Sequence, residues 1–271
     1  MSERCLEKMM IWQSRTRTAF PIVLALVLMS APPLKAQGSA GTGARYEPRF
    51  IVDMPTAGML AKGTYAIDAR FYGNGGLLVG FSAGIFSRLL VGISYGGSGI
   101  VGGGDPVMNV APGFSAKVRI IEEGVVAPAV ALGFDSQGYG GYIKELSRYV
   151  IKSPGFYGAL SKNYNLLGYL SVHGGVNYSL ERADGDSDVN FYAGAEKSLG
   201  PFAALLVEYN LGMNDSNQGA SGKGRGYLNA ALHISPAGGL TVGFCVKDIL
   251  KNGRTEGGVT RTIKIEFVTP F

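Results

Sequence analysis

From Gly63 to the C-terminus the chain repeats one pattern: runs of roughly ten residues in which apolar and polar side chains alternate, separated by turn residues. Alternation with a period of two puts the odd and even side chains of a strand on opposite faces, so each run has a greasy face and a wet one. The runs are 63 to 72, 76 to 86, 89 to 97, 113 to 121, 125 to 135, 155 to 163, 168 to 178, 188 to 198, 202 to 211, 226 to 235, 240 to 249 and 259 to 268, about twelve in all. Their connections alternate in length. Short ones fall at Ser87-Arg88, Glu122 to Gly124, Tyr164 to Leu167, Leu199 to Pro201 and Pro236 to Gly239, and long ones at 98 to 112, 136 to 154, 179 to 187, 212 to 225 and 250 to 258. Gly73 to Gly75 is a tight turn on the side of the long loops. An even number of antiparallel strands with tight turns on one rim and long loops on the other is the pattern of a membrane-spanning barrel. A soluble sandwich also alternates, with its apolar side as core and its charged side in solvent. Regular strand length and the short/long rule favour an all-β fold, a closed antiparallel transmembrane β-barrel with both termini periplasmic.

The last run supports this. Ile263, Ile265 and Phe267 alternate with Thr262, Lys264 and Glu266, and the chain stops at Phe271. It resembles the terminal strand of bacterial outer-membrane proteins, which commonly ends on Phe and carries the assembly signal, although Thr269 and Pro270 depart from the usual alternation. The resemblance implies the barrel-assembly machinery as a partner through the strand ending at Phe271, outer-membrane lipid as the surroundings, and the bacterial outer membrane as the location. At the other end, Arg15 and Arg17 precede an apolar run, Ala19 to Met29, that is too short to span a bilayer and is followed by Pro32 and Pro33. Residues 1 to 36 therefore read as a signal peptide, residues 37 to 62 as a periplasmic or lumen-inserted segment, and residues 63 to 271 as the barrel.

Composition fits lipid exposure: 42 Gly, 14 Tyr and 13 Phe with only 17% charged residues. The formal charge of +5 suggests a nucleic-acid partner. Without residues 1 to 36 the chain carries 20 basic and 18 acidic residues and no Lys/Arg cluster, so no nucleic acid is expected. The mature chain keeps a single cysteine, Cys245, and forms no internal disulfide.

Alternation sorts the wall. Tyr65, Ile67, Ala69, Phe71, Leu77, Val79, Phe81, Ala83 and Ile85 are expected to face lipid, as are Leu205, Val207, Tyr209, Leu240, Val242 and Phe244. The opposite phase gives the lumen-lining candidates Asp68, Arg70, Lys117, Arg119, His173, Glu208, Lys247 and Lys264, with Ser82, Asn177, Asn229, His233 and Glu266. Asp68 on the first strand and Lys264 on the last are expected to meet across the closing seam. In 155 to 163, Phe156 and Leu160 compete with Tyr157 and Ala159 for the outside. Many inward positions are small, including Gly80, Gly84, Gly92, Ala127, Ala129, Ala131 and Gly133, which leaves room for water, a solute or an inserted segment.

Motifs with chemical associations lack their context. Gly80-Phe81-Ser82-Ala83-Gly84 has the hydrolase nucleophile spacing but lies inside an alternating strand rather than at a strand-to-helix turn. Gly97, Gly99 and Gly102 have dinucleotide spacing, yet no helix can follow through Gly103-Gly104-Asp105-Pro106. Asp184, Asp186 and Asp188 begin like a calcium loop, but Val189 and Ala195 stand where Gly and Glu belong. His173 and His233 have no further ligands at readable spacing, so no metal site, no cofactor and no catalytic set is expected. The chain reads as a non-enzyme, with an outer-membrane lipid-modifying enzyme as a minor alternative.

From Asp53-Met54-Pro55-Thr56-Ala57-Gly58-Met59 through Gly63-Thr64-Tyr65 the chain resembles the start of YjbH-like outer-membrane proteins, which are associated with exopolysaccharide production. Arg88 to Gly97, Gly133 to Gly140 and Ser161-Lys162-Asn163-Tyr164 resemble a set of uncharacterised barrel proteins related to them. The barrel pattern itself points to a pore or conduit for polar solutes, and the resemblance implies polysaccharide as one such solute. The alternative is a plugged structural barrel that binds partners through its outer loops.

Overall fold

The twelve wall strands are β1 Thr64–Tyr72, β2 Gly76–Phe86, β3 Leu89–Ser98, β4 Gly113–Ile121, β5 Ala129–Asp135, β6 Gly155–Asn165, β7 Tyr169–Tyr178, β8 Asn190–Ser198, β9 Ala203–Asn210, β10 Tyr227–Ala237, β11 Leu240–Lys247 and β12 Thr260–Pro270. The structure is a computed structural model, and it describes residues 38–254 and 258–271. The signal-peptide expectation for residues 1 to 36 lies outside the described residues. Each strand pairs antiparallel with its neighbour in sequence, and β1 pairs with β12 from Thr64↔Pro270 to Phe71↔Ile263. That last ladder closes the sheet on itself and leaves no unpaired edge.

The turns explain the register. Asn74 and Gly75 both have positive φ, 58° and 64°, the two-residue turn whose twist matches the strands it joins. The alternate long loops are partly structured. Residues 136–154 contain a second small sheet, Tyr139–Ile143 paired with Arg148–Ile151, which alternation in the sequence does not reveal. The fifth strand starts at Ala129 rather than 125, because Val125 to Pro128 belong to the turn. The last one runs on to Pro270, whose missing N–H costs nothing at a strand end.

The faces separate as chemistry requires. Ile67, Phe81, Ile93, Leu132, Phe156, Val207, Phe244 and Ile263 are all exposed on the outside, while Arg70, Lys117, His173, Glu208, Lys247 and Lys264 are buried on the inside. A soluble protein would show the reverse. Phe156 and Leu160 point outward and Tyr157 and Ala159 inward, which resolves that strand. Ala83 is buried although it shares the outward phase. At the seam, Asp68 stands opposite Glu266 and Arg70 opposite Lys264, so the expected Asp68–Lys264 contact does not form. Like charges directly opposite repel, and a charge from outside the wall resolves the Asp68–Glu266 conflict, as shown below.

A lipid-facing position gives a direct test. Val207, in β9 between Ala195 and Ala230, is exposed and apolar. Val207→Arg is expected to destabilise folding into bilayers by about 2–4 kcal/mol if the residue sits near the midplane, measured by denaturant titration in liposomes. A change within about 0.5 kcal/mol, the ordinary surface value, would place that face in water.

Candidate functional site: the filled lumen

Within residues 38–62, residues 38–41, 49 and 51–60 are buried against the inner faces of the wall, and the segment hydrogen-bonds to nine of its strands. The segment's core is a tight hairpin. Phe50 bridges Pro55, the Ile51 amide donates to the Met54 carbonyl at 2.8 Å, and the Thr56 amide to the Arg49 carbonyl at 3.1 Å. The hairpin tip turns three successive amides, those of Val52, Asp53 and Met54, toward one carboxylate oxygen of Glu208, at 2.9, 2.8 and 2.8 Å. The other oxygen of Glu208 accepts from Asn229 at 2.8 Å. Glu208 is fully buried, a position a carboxylate holds only when donors surround it.

Charges pair between segment and wall. The Asp53 carboxylate accepts from Arg70 and, at 2.8 Å, from Lys247. Arg49 reaches Asp68 at 2.9 Å, Glu266 at 2.8 Å and Ser82 at 2.8 Å. One guanidinium thus neutralises both acids that face each other across the seam. Arg119 pairs with Glu47 and donates to the Ala57 carbonyl at 2.8 Å. The Lys117 ammonium donates to the carbonyls of Arg49, Thr56 and Gly58 at 3.2, 2.9 and 3.1 Å, using all three of its N–H bonds. Tyr192 donates to the Pro55 carbonyl at 2.8 Å, and further along Ser39 donates to Glu266 at 2.7 Å.

Small wall residues make the room. A Cβ on Gly84 would stand 2.3 Å from the Ala61 carbonyl oxygen, and one on Gly194 would stand 2.9 Å from Ile51. Ala129 and Ala131 pack on Ala57. Val52 packs with Ala204, Leu206, Ala231 and Cys245, and Ile51 and Met54 with Tyr192.

Of the eight candidate lining residues, Asp68, Arg70, Lys117, Arg119, Glu208 and Lys247 bond directly to residues 38–62. Lys264 lies 3.7 Å from Glu266 and 5.2 Å from the Phe50 ring centroid. The Nδ1 of His173 lies 2.8 Å from the Ser161 hydroxyl, which accepts from the Ala57 amide at 3.0 Å. Sequence reading missed the Ser161–His173 pair. Ser82, at the centre of the hydrolase-like motif, is a hydrogen-bond acceptor for Arg49.

At the rim of long loops, the loops are tied to one another. Arg148, with no exposed surface, donates to Asp184 and Asp215 at 2.6 Å each, and Lys152 reaches Asp184 at 2.8 Å. Tyr227 donates to Asp215 at 2.5 Å, and the Ser216 and Asn217 amides to Asp186 at 2.7 and 3.1 Å. The three aspartates that only partly matched a calcium loop are divided: Asp184 and Asp186 serve this lattice, and no cluster of metal-ligating residues occurs among the described residues. Below it, Tyr139 from the loop hairpin lies over Arg70 at 3.9 Å from the ring centroid and near Lys247 at 5.3 Å.

No protein-family model matches the chain, and no curated protein matches it. Among solved structures it is similar to a KdgM porin, at 9% identity and a TM-score of 0.46, over 77% of this chain and 99% of that one. A second is a NanC porin, at 6% identity and a TM-score of 0.44, over 76% of this chain and 99% of that one. One KdgM structure is described as a complex with disordered oligogalacturonate. The closed barrel described here rests on its own strand pairing.

Proposed function

We propose that the protein is an outer-membrane barrel whose lumen is a path for polar solutes, closed at rest by its own residues 38–62. The observation that carries this reading is the chemistry of the contact between segment and wall. Arg49 with Asp68 and Glu266, Asp53 with Arg70 and Lys247, and Glu47 with Arg119 are pairs in which each partner is a group that water solvates well. A core meant never to open is built of apolar side chains; a bore emptied of this segment is lined with charges and hydroxyls. The tight turns other than Gly73 to Gly75 and both strand termini, Thr64 and Pro270, share one rim, which on this reading faces the periplasm. Assembly then proceeds through β12, the strand that ends next to Phe271. The resemblance to YjbH-like proteins supports exopolysaccharide as the cargo.

The test is conductance in planar bilayers. The full chain is expected to be silent, and a variant lacking residues 38–62 to give steady ion current. A deletion variant that folds and stays silent would leave the structural barrel, binding partners through its loops, as the reading. A full chain that conducts steadily would show that the segment does not close the bore.

A further inference from the structure

Two long loops, residues 211–226 between β9 and β10 and residues 248–254 after β11, are joined at the rim. Gly222 bridges Gly253, the Lys223 amide donates to the Asn252 carbonyl at 2.9 Å, and the Lys223 ammonium donates to the Lys251 carbonyl at 3.2 Å. These contacts gather Lys223, Arg225, Lys251 and Arg254, all exposed, into one patch. None of the four has a carboxylate partner among the described residues. Arg254 donates to the carbonyls of Asn217, Gln218 and Ala220, and the side chains of Arg225 and Lys251 make no hydrogen bond there. The acids of the same loops are committed elsewhere. Asp215 is buried and taken by Arg148, Tyr227 and the Ser221 amide, and Asp248 is buried and accepts from the Asn252 and Gly253 amides at 2.8 and 2.7 Å. At the opposite rim like cations are neutralised: Arg88 and Lys162 each stand 3.4 Å from a glutamate, Glu122 and Glu123.

Beneath this patch the outer face of the wall is apolar. Val207, Ala230 and Val246 stand side by side across β9, β10 and β11, and the next row toward the loops holds Tyr209, Leu228 and Ile249. Ile249 and Leu250 are 37% and 49% exposed and lead directly into Lys251. The Tyr209 hydroxyl donates to the Arg225 carbonyl, so the outward ring ends where the cations begin. Arg261, exposed opposite Val246, adds a further cation at the same edge. Apolar rows below and uncompensated positive charge above complement a lipid whose acyl chains lie along the strands and whose phosphate headgroup is negative. A zwitterionic headgroup leaves the cations without a counter-charge, and a free anion gains nothing from the rows below. We infer that the β9–β12 side of the long-loop rim binds an anionic phosphate-bearing lipid. The inference rests on the barrel standing in a membrane and not on the closed bore, so its failure leaves the conductance test untouched.

The experiment is native mass spectrometry of the full chain in a neutral detergent, titrated with dimyristoyl phosphatidic acid and with phosphatidylcholine of the same acyl chains. Phosphatidic acid is expected to bind saturably and about tenfold or more tightly than phosphatidylcholine, and inorganic phosphate at the same concentration to leave it in place. Lys223→Gln, Arg225→Gln and Lys251→Gln in one chain are expected to weaken phosphatidic acid about a hundredfold, about fivefold for each cation beside an anionic lipid. Lys62→Gln, Arg88→Gln and Lys144→Gln remove the same charge from other exposed positions and are expected to leave its affinity unchanged. Equal binding of the two lipids, displacement by inorganic phosphate, an unchanged affinity in the first triple variant or equal weakening in both would each overturn the proposal.

Discussion

Glu208→Ala is expected to turn a silent barrel into a conducting one while the strands stay paired. Three amides at the hairpin tip converge on one oxygen of Glu208. Each buried donor left unsatisfied costs about 1–3 kcal/mol. Even if entering water recovers most of this, a loss of about 3 kcal/mol shifts the balance between seated and released segment by more than a hundredfold. Asp53 is held independently by Arg70 and Lys247, so the release is partial and shows as flickering current. Glu208→Gln keeps an acceptor oxygen without its charge and should fall between wild type and alanine. Single-channel recording reads all three. An alanine variant as silent as wild type would mean that the carboxylate does not hold the segment.

Arg148→Ala should produce the other large effect, at the opposite end. Arg148 joins three loops by pairing with Asp184 and Asp215 while its backbone partners are the Tyr149 and Val150 carbonyls. Removing the guanidinium leaves Asp184 with Lys152 as its one cation and Asp215 with only the Ser221 amide and the Tyr227 hydroxyl, a loss of about 3–5 kcal/mol for breaking a buried pair on one side. The wall does not depend on this lattice, so the loss appears as loop opening: limited proteolysis should cut within residues 136–154 or 211–226 in the variant and spare the wild type. Acid should mimic it. Burial by itself would raise the Asp184 carboxyl, but hydrogen bonds from Lys152 and Arg148 outweigh burial and hold it below the usual carboxylate range. A group depressed in the folded state stabilises above its unfolded value, about 3.9, and that stabilisation is lost as pH falls further through the folded value. Wild-type loops should therefore resist protease at pH 5 and become cleavable only as the pH falls well below about 4. Cleavage unchanged by either treatment would contradict the role given to Arg148.

What was legible in the sequence follows from what local periodicity encodes. Alternation alone places Phe81, Val207 and Phe244 outward and Arg70, Lys117 and Glu208 inward, because a strand side chain has two directions to choose from. Strand partners within a hairpin are nearly as legible: once the turn between Asn165 and Tyr169 is fixed, counting back pairs Ser161 with His173, so the missed pair had a signal. The seam was different. Whether Asp68 meets Glu266 or Lys264 depends on the stagger with which the whole sheet closes, and no single hairpin fixes that. The loop lattice around Arg148 was illegible for the same reason, since its partners Asp184 and Asp215 lie 36 and 67 residues away on other loops and obey no period. Residues 53 to 59, where the stretch that carried the family resemblance begins, belong to the segment that engages Glu208 and Lys117.

Hydrogen exchange followed by mass spectrometry on the intact chain in lipid tests the central claim most directly, namely that residues 50–58 sit inside the closed barrel. Amides bonded to a buried carboxylate inside the bore exchange only when the segment leaves or the barrel unfolds. The account predicts protection of a peptide spanning Phe50 to Gly58 on the timescale of the wall strands. Exchange within seconds, at the rate of an unstructured tail, would contradict it.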